Sequence, residues 1–237
     1  MQALAVSLTV SVFVVGLMAA CQSLKESGWP ESHRTHDGTL VIAEGEASYT
    51  EFLKNRKLVP VRREVPGVKI DLRYATRNNI TGRRLYSANA RCYLDQDTAR
   101  KLARAQALLN KQGIGLKVWD GYRPASVQKE LWNAVPKADF VVDPRLWYSK
   151  HSSGRAVDVT LVDLQTGEEK KMPSDFDDFS PRGRALYLGP DREVRRNVEL
   201  LQTAMKEAGF RRINSEWWHF ANAEFYNENI PPFRKSL

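Results

Sequence analysis

The chain has 237 residues, 42% of them hydrophobic and 27% charged, with 36 basic side chains against 28 acidic ones and a formal net charge of +8. That composition excludes a wholly disordered chain and suffices for one sizeable globular domain. The basic balance comes without any interleaved aromatic and basic motif, which speaks against nucleic acid and leaves anionic lipid or cell-wall polymer as the surface such a charge favours.

Residues 1–20 carry no charged side chain, and the apolar run from Val10 to Ala20 ends in Leu17-Met18-Ala19-Ala20-Cys21. Small residues ahead of a cysteine resemble a bacterial lipoprotein signal. The resemblance implies export, acylation of Cys21 and a lipid-anchored periplasmic or cell-surface location. An ordinary secretory signal and an uncleaved anchor are the alternatives. The other cysteine, Cys92, has no Cys or His at metal spacing and reads as a lone buried thiol. Residues 22–60 are rich in Ser, Glu, Gly, His and Thr and read as a tether and lead-in, with the domain proper at 61–237.

Within the domain, Val68 to Tyr74 alternates apolar and polar residues and predicts a half-buried strand. Asp97 to Lys111 has helix-forming composition, with Asp97 as its N-cap and Gly113 as its stop. Ile114, Leu116 and Val118 alternate into a turn at Asp120-Gly121, and Pro124 suits the first turn of a helix running to about Ala134. Ala156 to Val162 predicts a strand that carries Asp158 into or beside the core. Over residues 192–208, Val194, Val198, Leu201, Met205 and Ala208 keep a helical spacing that Gly209 ends. A last strand is expected from Ile213 to Phe220. Helices and strands alternate irregularly, which favours α+β over a regular βαβ series.

The chemistry concentrates in two places. There are four histidines; His33 and His36 lie in the polar lead-in, whereas His151 precedes Asp158 by seven residues and His219 follows Glu216 by three. Two imidazoles and a carboxylate can supply three protein ligands to a catalytic zinc and leave a fourth position open. Glu216 is then the spare carboxylate, able to take a proton from water. Trp119, Trp217 and Trp218 read as core or pocket wall. Ser149 is a poor nucleophile, because the nearby imidazole is committed to metal.

Asp120-Gly121-Tyr122-Arg123-Pro124, Ser149-x-His151-x-x-Gly154-x-Ala156-x-Asp158 and Glu216-Trp217-Trp218-His219 resemble the three signatures of the D-alanyl-D-alanine dipeptidases, zinc peptidases related to cell-wall D,D-carboxypeptidases. Asp71-Leu72-Arg73-Tyr74-Ala75-Thr76 with Asn79-x-Thr81-Gly82 resembles a further block, and all four stand in the family's order. The resemblance implies Zn2+ on His151, Asp158 and His219, Glu216 as general base, and Arg123 as stabiliser of the oxyanion. It also implies that Tyr74 and Ser149 contact the dipeptide's carboxylate and that Asp177 pairs with its ammonium. Pro173-Ser174 departs from the family's Gly and small residue in the loop before Asp177. The expected fold is a small antiparallel sheet flanked by helices, with the zinc cleft on one sheet face. The expected activity is hydrolysis of D-alanyl-D-alanine or a similar D,D-dipeptide, in cell-wall turnover or glycopeptide resistance. A D,D-carboxypeptidase on peptidoglycan stems and an inactive cell-wall-binding lipoprotein are the alternatives. No obligate protein partner is implied.

Overall fold

The structure is a computed structural model that describes residues 57–144 and 149–225, together with two strands in the lead-in. The signal at 1–21, its Cys21 and the remainder of the tether lie outside the described residues. The two lead-in strands, β1 (Ser32–Arg34) and β2 (Leu40–Ile42), pair antiparallel. The packed domain starts a few residues ahead of the expected Val61, because β3 (Leu58–Pro60) pairs antiparallel with β5 (Tyr93–Asp95). A single helical turn, α1 (Val61–Glu64), follows β3.

The main sheet has five strands in the order β4-β6-β7-β9-β8. They are β4 (Lys69–Ile70), β6 (Ile114–Asp120), β7 (Ala156–Asp163), β8 (Phe210–Arg212) and β9 (His219–Asn222). The sheet is mixed rather than antiparallel as expected, since β4 runs parallel to β6. The path from β4 to β6 passes through helix α2 (Gln96–Asn110), and a helical crossover returns the chain in the same direction. The remaining pairs are antiparallel. β7 lies in the middle and is buried from Ala156 to Val162, which is why it reads as a nearly unbroken apolar run.

Three local expectations change. The cap of α2 is Asp95, not Asp97: its carboxylate accepts from the backbone N–H groups of Asp97 and Thr98, at 3.2 and 3.5 Å. The strand expected over Val68 to Tyr74 stops at Ile70. The chain then winds into a 3-10 turn at Arg73–Ala75 that sends Tyr74 into the core. The Tyr74 carbonyl accepts from both Leu85 and Tyr86 N–H, at 2.8 and 2.9 Å. Of the strand expected over Ile213 to Phe220, only His219 and Phe220 are strand, as the start of β9; residues 213–218 form the loop from β8 that carries Glu216, Trp217 and Trp218. All three side chains are buried. The loop is held by Trp217 N–H on the Gly183 carbonyl (2.9 Å) and by Val159 N–H on the Trp218 carbonyl (3.0 Å).

Two helices match expectation closely. In α4 (Arg192–Glu207), Val194, Val198, Leu201 and Met205 are buried, and Asp191 caps the first turn through the N–H groups of Glu193 and Val194. Helix α3 (Ala125–Ala134) starts directly after Pro124. Helix α2 packs against β6 and α4, and α4 against β7 and β8. Asn222 at the end of β9 ties the sheet to the start of α2, donating to Asp97 and Thr98 and accepting from Lys101.

Gly154 ends the 3-10 turn His151–Ser153 in the left-handed conformation, φ 71°. A Cβ there would sit 2.8 Å from the Asp95 backbone nitrogen and 2.7 Å from the Leu58 side chain. Gly154→Ala therefore adds backbone strain and a steric clash beside His151. Loss of about 1–3 kcal/mol or more of stability is expected, read as a lowered denaturant midpoint, together with weaker metal retention.

Candidate metal centre

The sheet register assembles the site. Asp158 on β7 lies opposite His219 on β9 and opposite Asp120 on β6, so three polar side chains share one rung of three neighbouring strands. A register shift between Val118 and Asp120 brings Asp120 onto that rung. Along β7, Val157, Val159 and Leu161 alternate with Asp158, so the carboxylate faces away from the side those apolar residues occupy. His151 enters from the 3-10 turn just before β7. Its Nδ1–H donates to the Gly121 carbonyl at 2.8 Å, which leaves Nε2 as an electron-pair donor pointing inward.

That Nε2 lies 3.1 Å from His219 Nδ1 and 3.4 Å from Asp158 Oδ1, and His219 Nδ1 is 3.0 Å from the same carboxylate oxygen. The three donor atoms all fall within 4.8 Å of one another. Burial alone would raise the Asp158 pKa, but the two imidazoles hold it well below the usual carboxylate range. Burial also lowers the His219 pKa, against the pull of Asp158. Two neutral imidazoles and one carboxylate form a donor set that suits zinc.

Around the donors, charge is unevenly matched. Asp120, Asp158, Asp177 and Glu216 are all buried, and the guanidinium of Arg123 stands against them. Arg123 Nε and Nη2 both reach Asp120 Oδ2 at 2.8 Å, Nη1 donates to Gln128 at 2.9 Å, and Nη2 stays 3.7 Å from Asp158. Its guanidinium carbon lies 4.9 Å from the centroid of the Tyr74 ring. Glu216 is 3.9 Å from His219 Nδ1. Burial first, then the charges of Asp158 and Asp177, push its carboxyl far above the ordinary value. A divalent cation among these carboxyl groups offsets the excess of negative charge, and the residues present fit such an ion.

A cavity of about 230 Å3 opens here, lined by all eight side chains expected from the sequence: Tyr74, Arg123, Ser149, His151, Asp158, Asp177, Glu216 and His219. Ser149 Oγ accepts from the His151 N–H at 3.3 Å. Asp177 adopts φ 60° and accepts from the Tyr74 hydroxyl (3.2 Å) and the Ile80 N–H (3.1 Å). Ser174, at the departure from the family pattern, accepts from Trp217 Nε1 at 3.0 Å, and Asp177 still lines the cavity. Trp218 is part of the cavity wall, while Trp119 and Trp217 pack edge-on behind it with centroids 5.5 Å apart. Cys92 is buried, and burial drives its thiol pKa upward, so it stays inert.

Sequence reasoning missed the support of Arg123. Asp120 read as a turn residue, yet it is fully buried, holds Arg123 and accepts from the Tyr86 hydroxyl at 2.6 Å. Its spacing of three from Arg123 was the available signal. Tyr86 and Gln128 carried none, because only the fold brings them to this place.

The D-ala-D-ala dipeptidase family matches residues 54–236 of the chain. A D-alanyl-D-alanine dipeptidase of Escherichia coli (strain K12) is 39% identical over 155 residues, covering 65% of this chain and 79% of that protein. One from Enterococcus faecium is 34% identical over 175 residues, covering 66% of this chain and 86% of that protein. One from Streptomyces coelicolor is 32% identical over 180 residues, covering 68% of this chain and 88% of that protein.

Two outcomes follow from the geometry. His151→Ala should abolish stoichiometric zinc retention, measured by metal analysis of the purified protein, because two donors do not close the site. Asp177 titrates at about 7 in the metal-free protein, raised chiefly by burial. A carboxyl raised above its unfolded value binds more protons when folded, so its contribution is complete below about pH 4 and is lost as pH rises through 7. Asp177→Asn, which tolerates the left-handed backbone, should therefore raise the thermal midpoint of metal-free protein at pH 8 more than at pH 5. The difference between the two pH values is about 2–3 kcal/mol.

Proposed function

The chain belongs to the D-alanyl-D-alanine dipeptidase family, and on that premise we propose that it hydrolyses D-alanyl-D-alanine, or a D,D-dipeptide of similar size, as a zinc metallopeptidase. The observation that carries the proposal is the convergence of His151, Asp158 and His219 donor atoms inside a cavity that also holds Glu216 and Arg123. A zinc ion held by those three residues supplies Lewis acidity, polarising the scissile carbonyl and bringing the pKa of a water towards 7.

The chain's own residues supply the rest. Glu216, buried beside the ligands, accepts the proton of the attacking water and passes it to the leaving amine. Arg123, held by Asp120 and Gln128, presents a fixed positive charge to the oxyanion that develops on the carbonyl. Its guanidinium stays charged at any working pH. Tyr74 and Ser149 hold the dipeptide's carboxylate, and Asp177 receives its ammonium. The buried Asp177 carboxyl, costly to ionise alone, ionises readily when a cation arrives to pair with it. A cavity of about 230 Å3 suits a dipeptide better than an extended stem peptide.

We extend the proposal to location. The uncharged run ending at Cys21 supports export with acylation of that cysteine. An exported dipeptidase suits recovery of D-alanine from cell-wall turnover better than interception of newly made dipeptide in the cytoplasm. Cys21→Ser should then shift the protein from the membrane fraction to the soluble one.

The deciding experiment assays zinc-loaded protein on D-alanyl-D-alanine and on its N-acetyl derivative. The free dipeptide should be cleaved and the acylated one rejected, because acylation removes the ammonium that Asp177 receives; cleavage of both would favour a D,D-carboxypeptidase. Glu216→Gln should keep its zinc and lose about 10²–10⁴ in turnover. Arg123→Ala should lose about 10²–10³.

A further inference from the structure

The segment between the 3-10 turn Pro181–Gly183 and α4 presents two leucines to solvent, Leu186 at 65% exposure and Leu188 at 81%. The exposure belongs to a braced loop. Ala185 is buried, its N–H donating to Asn214 O at 3.1 Å and its carbonyl accepting from Gln202 at 2.6 Å. Tyr187 is half-buried, and its hydroxyl accepts from the Asp191 N–H at 3.3 Å. The Gly189 carbonyl accepts from Arg195 Nη2 at 2.9 Å. These bonds fix an alternation in which residues 185 and 187 turn inward and the two leucines outward.

Arginines flank the loop in the chain on both sides, and Arg195 touches it. Arg182, Arg184, Arg192, Arg195 and Arg196 are all exposed. The neighbouring carboxylates are fewer: Asp178 pairs with Arg182 at 3.0 Å, Asp191 is taken by Lys171 at 2.6 Å, and Glu193 lies in the first turn of α4. The loop is thus an apolar tip flanked by positive charge.

We propose that this loop is a membrane-docking surface for anionic phospholipid, with Leu186 and Leu188 entering the headgroup–acyl boundary and the arginines meeting lipid phosphates. Each half of the patch excludes a different rival. A polyanionic wall polymer would engage the arginines but leave the leucines in water. A second copy docked through the same patch would set arginine against arginine. An anionic bilayer satisfies both halves at once. No described helix is long and apolar enough to cross a membrane. This contact is separate from the acylation proposed at Cys21, and a lipid chain plus a basic patch is the two-part combination that gives stable anchoring. Docking would also bring the cavity close to the lipid surface, since Asn214, bonded to Ala185, follows Ile213 of the cavity wall.

The test is co-sedimentation of the full zinc-loaded chain with vesicles of phosphatidylglycerol and phosphatidylcholine, against phosphatidylcholine alone. Every variant is made in the same full chain, so any contribution of the N-terminal segment is common to all. Leu186→Ser/Leu188→Ser should lower the partition coefficient about tenfold or more. Arg184→Glu/Arg192→Glu should remove the preference for phosphatidylglycerol. Hydrolysis of soluble D-alanyl-D-alanine should be unchanged in both, showing that they fold. Variants that sediment like the parent, or a parent indifferent to phosphatidylglycerol, would overturn the proposal. A lipid-independent dimer that the leucine variant abolishes would also overturn it, by giving the patch to a second copy.

Discussion

The carboxylate of Asp158 sits on the central strand of the sheet with almost no exposure, and the surrounding polar structure follows from the need to compensate it. An isolated buried carboxylate costs several kcal/mol after relaxation, so it needs partners on every side it presents. Two of them come from the sheet and the turn before it, His219 across the β7–β9 pairing and His151 from the 3-10 turn. Both meet the same oxygen, which leaves three lone-pair donors converging on one small volume. A divalent cation resolves that convergence better than a single shared proton, because it bonds to all three at once.

Arg123 shows the same logic one layer out. A guanidinium buried beside a metal site would be repelled by the cation unless its charge were already balanced. Asp120 balances it with two contacts to one oxygen, Tyr86 donates to the other oxygen, and Gln128 takes the remaining nitrogen. The Arg123 pKa, which burial would lower, is instead raised by Tyr74, Asp120 and their neighbours. A charge so enclosed has little freedom to reorganise, and donors fixed before reaction lose the least when charge develops in the transition state.

The apolar packing gives this arrangement its rigidity. Trp119, Trp217, Trp218 and Phe176 form a chain of tilted and edge-on ring contacts with centroids between 5.5 and 5.9 Å. That cluster backs the Glu216 loop on one side and the Asp177 loop on the other. Neither loop is regular secondary structure, so packing and the hydrogen bond from Trp217 to Ser174 replace the ladder that would otherwise hold them. Asp177 keeps its left-handed backbone within this support, which is where a strained residue can persist.

His151, Asp158, His219 and Glu216 were readable from residue types at short spacings, the imidazole seven residues from a carboxylate and the Glu-Trp-Trp-His run, whereas Arg123, Tyr74, Ser149 and Asp177 came from the family resemblance alone; all eight line the cavity. Helix α4 and strand β7 were legible as well, since each buries a periodic or continuous apolar set. Other features were decided only by the tertiary structure. The Glu216 loop carries three consecutive buried side chains, and apolar composition alone cannot distinguish that from a strand. β4 stopped early because the core claimed Tyr74, and Asp95 displaced Asp97 as the cap because the strand end placed it there. The bulge that aligns Asp120 with Asp158, and the reach of Tyr86 to Asp120, depend on which strands lie side by side. Local sequence sets which side chains are available for chemistry; strand pairing, a long-range choice, sets which of them meet.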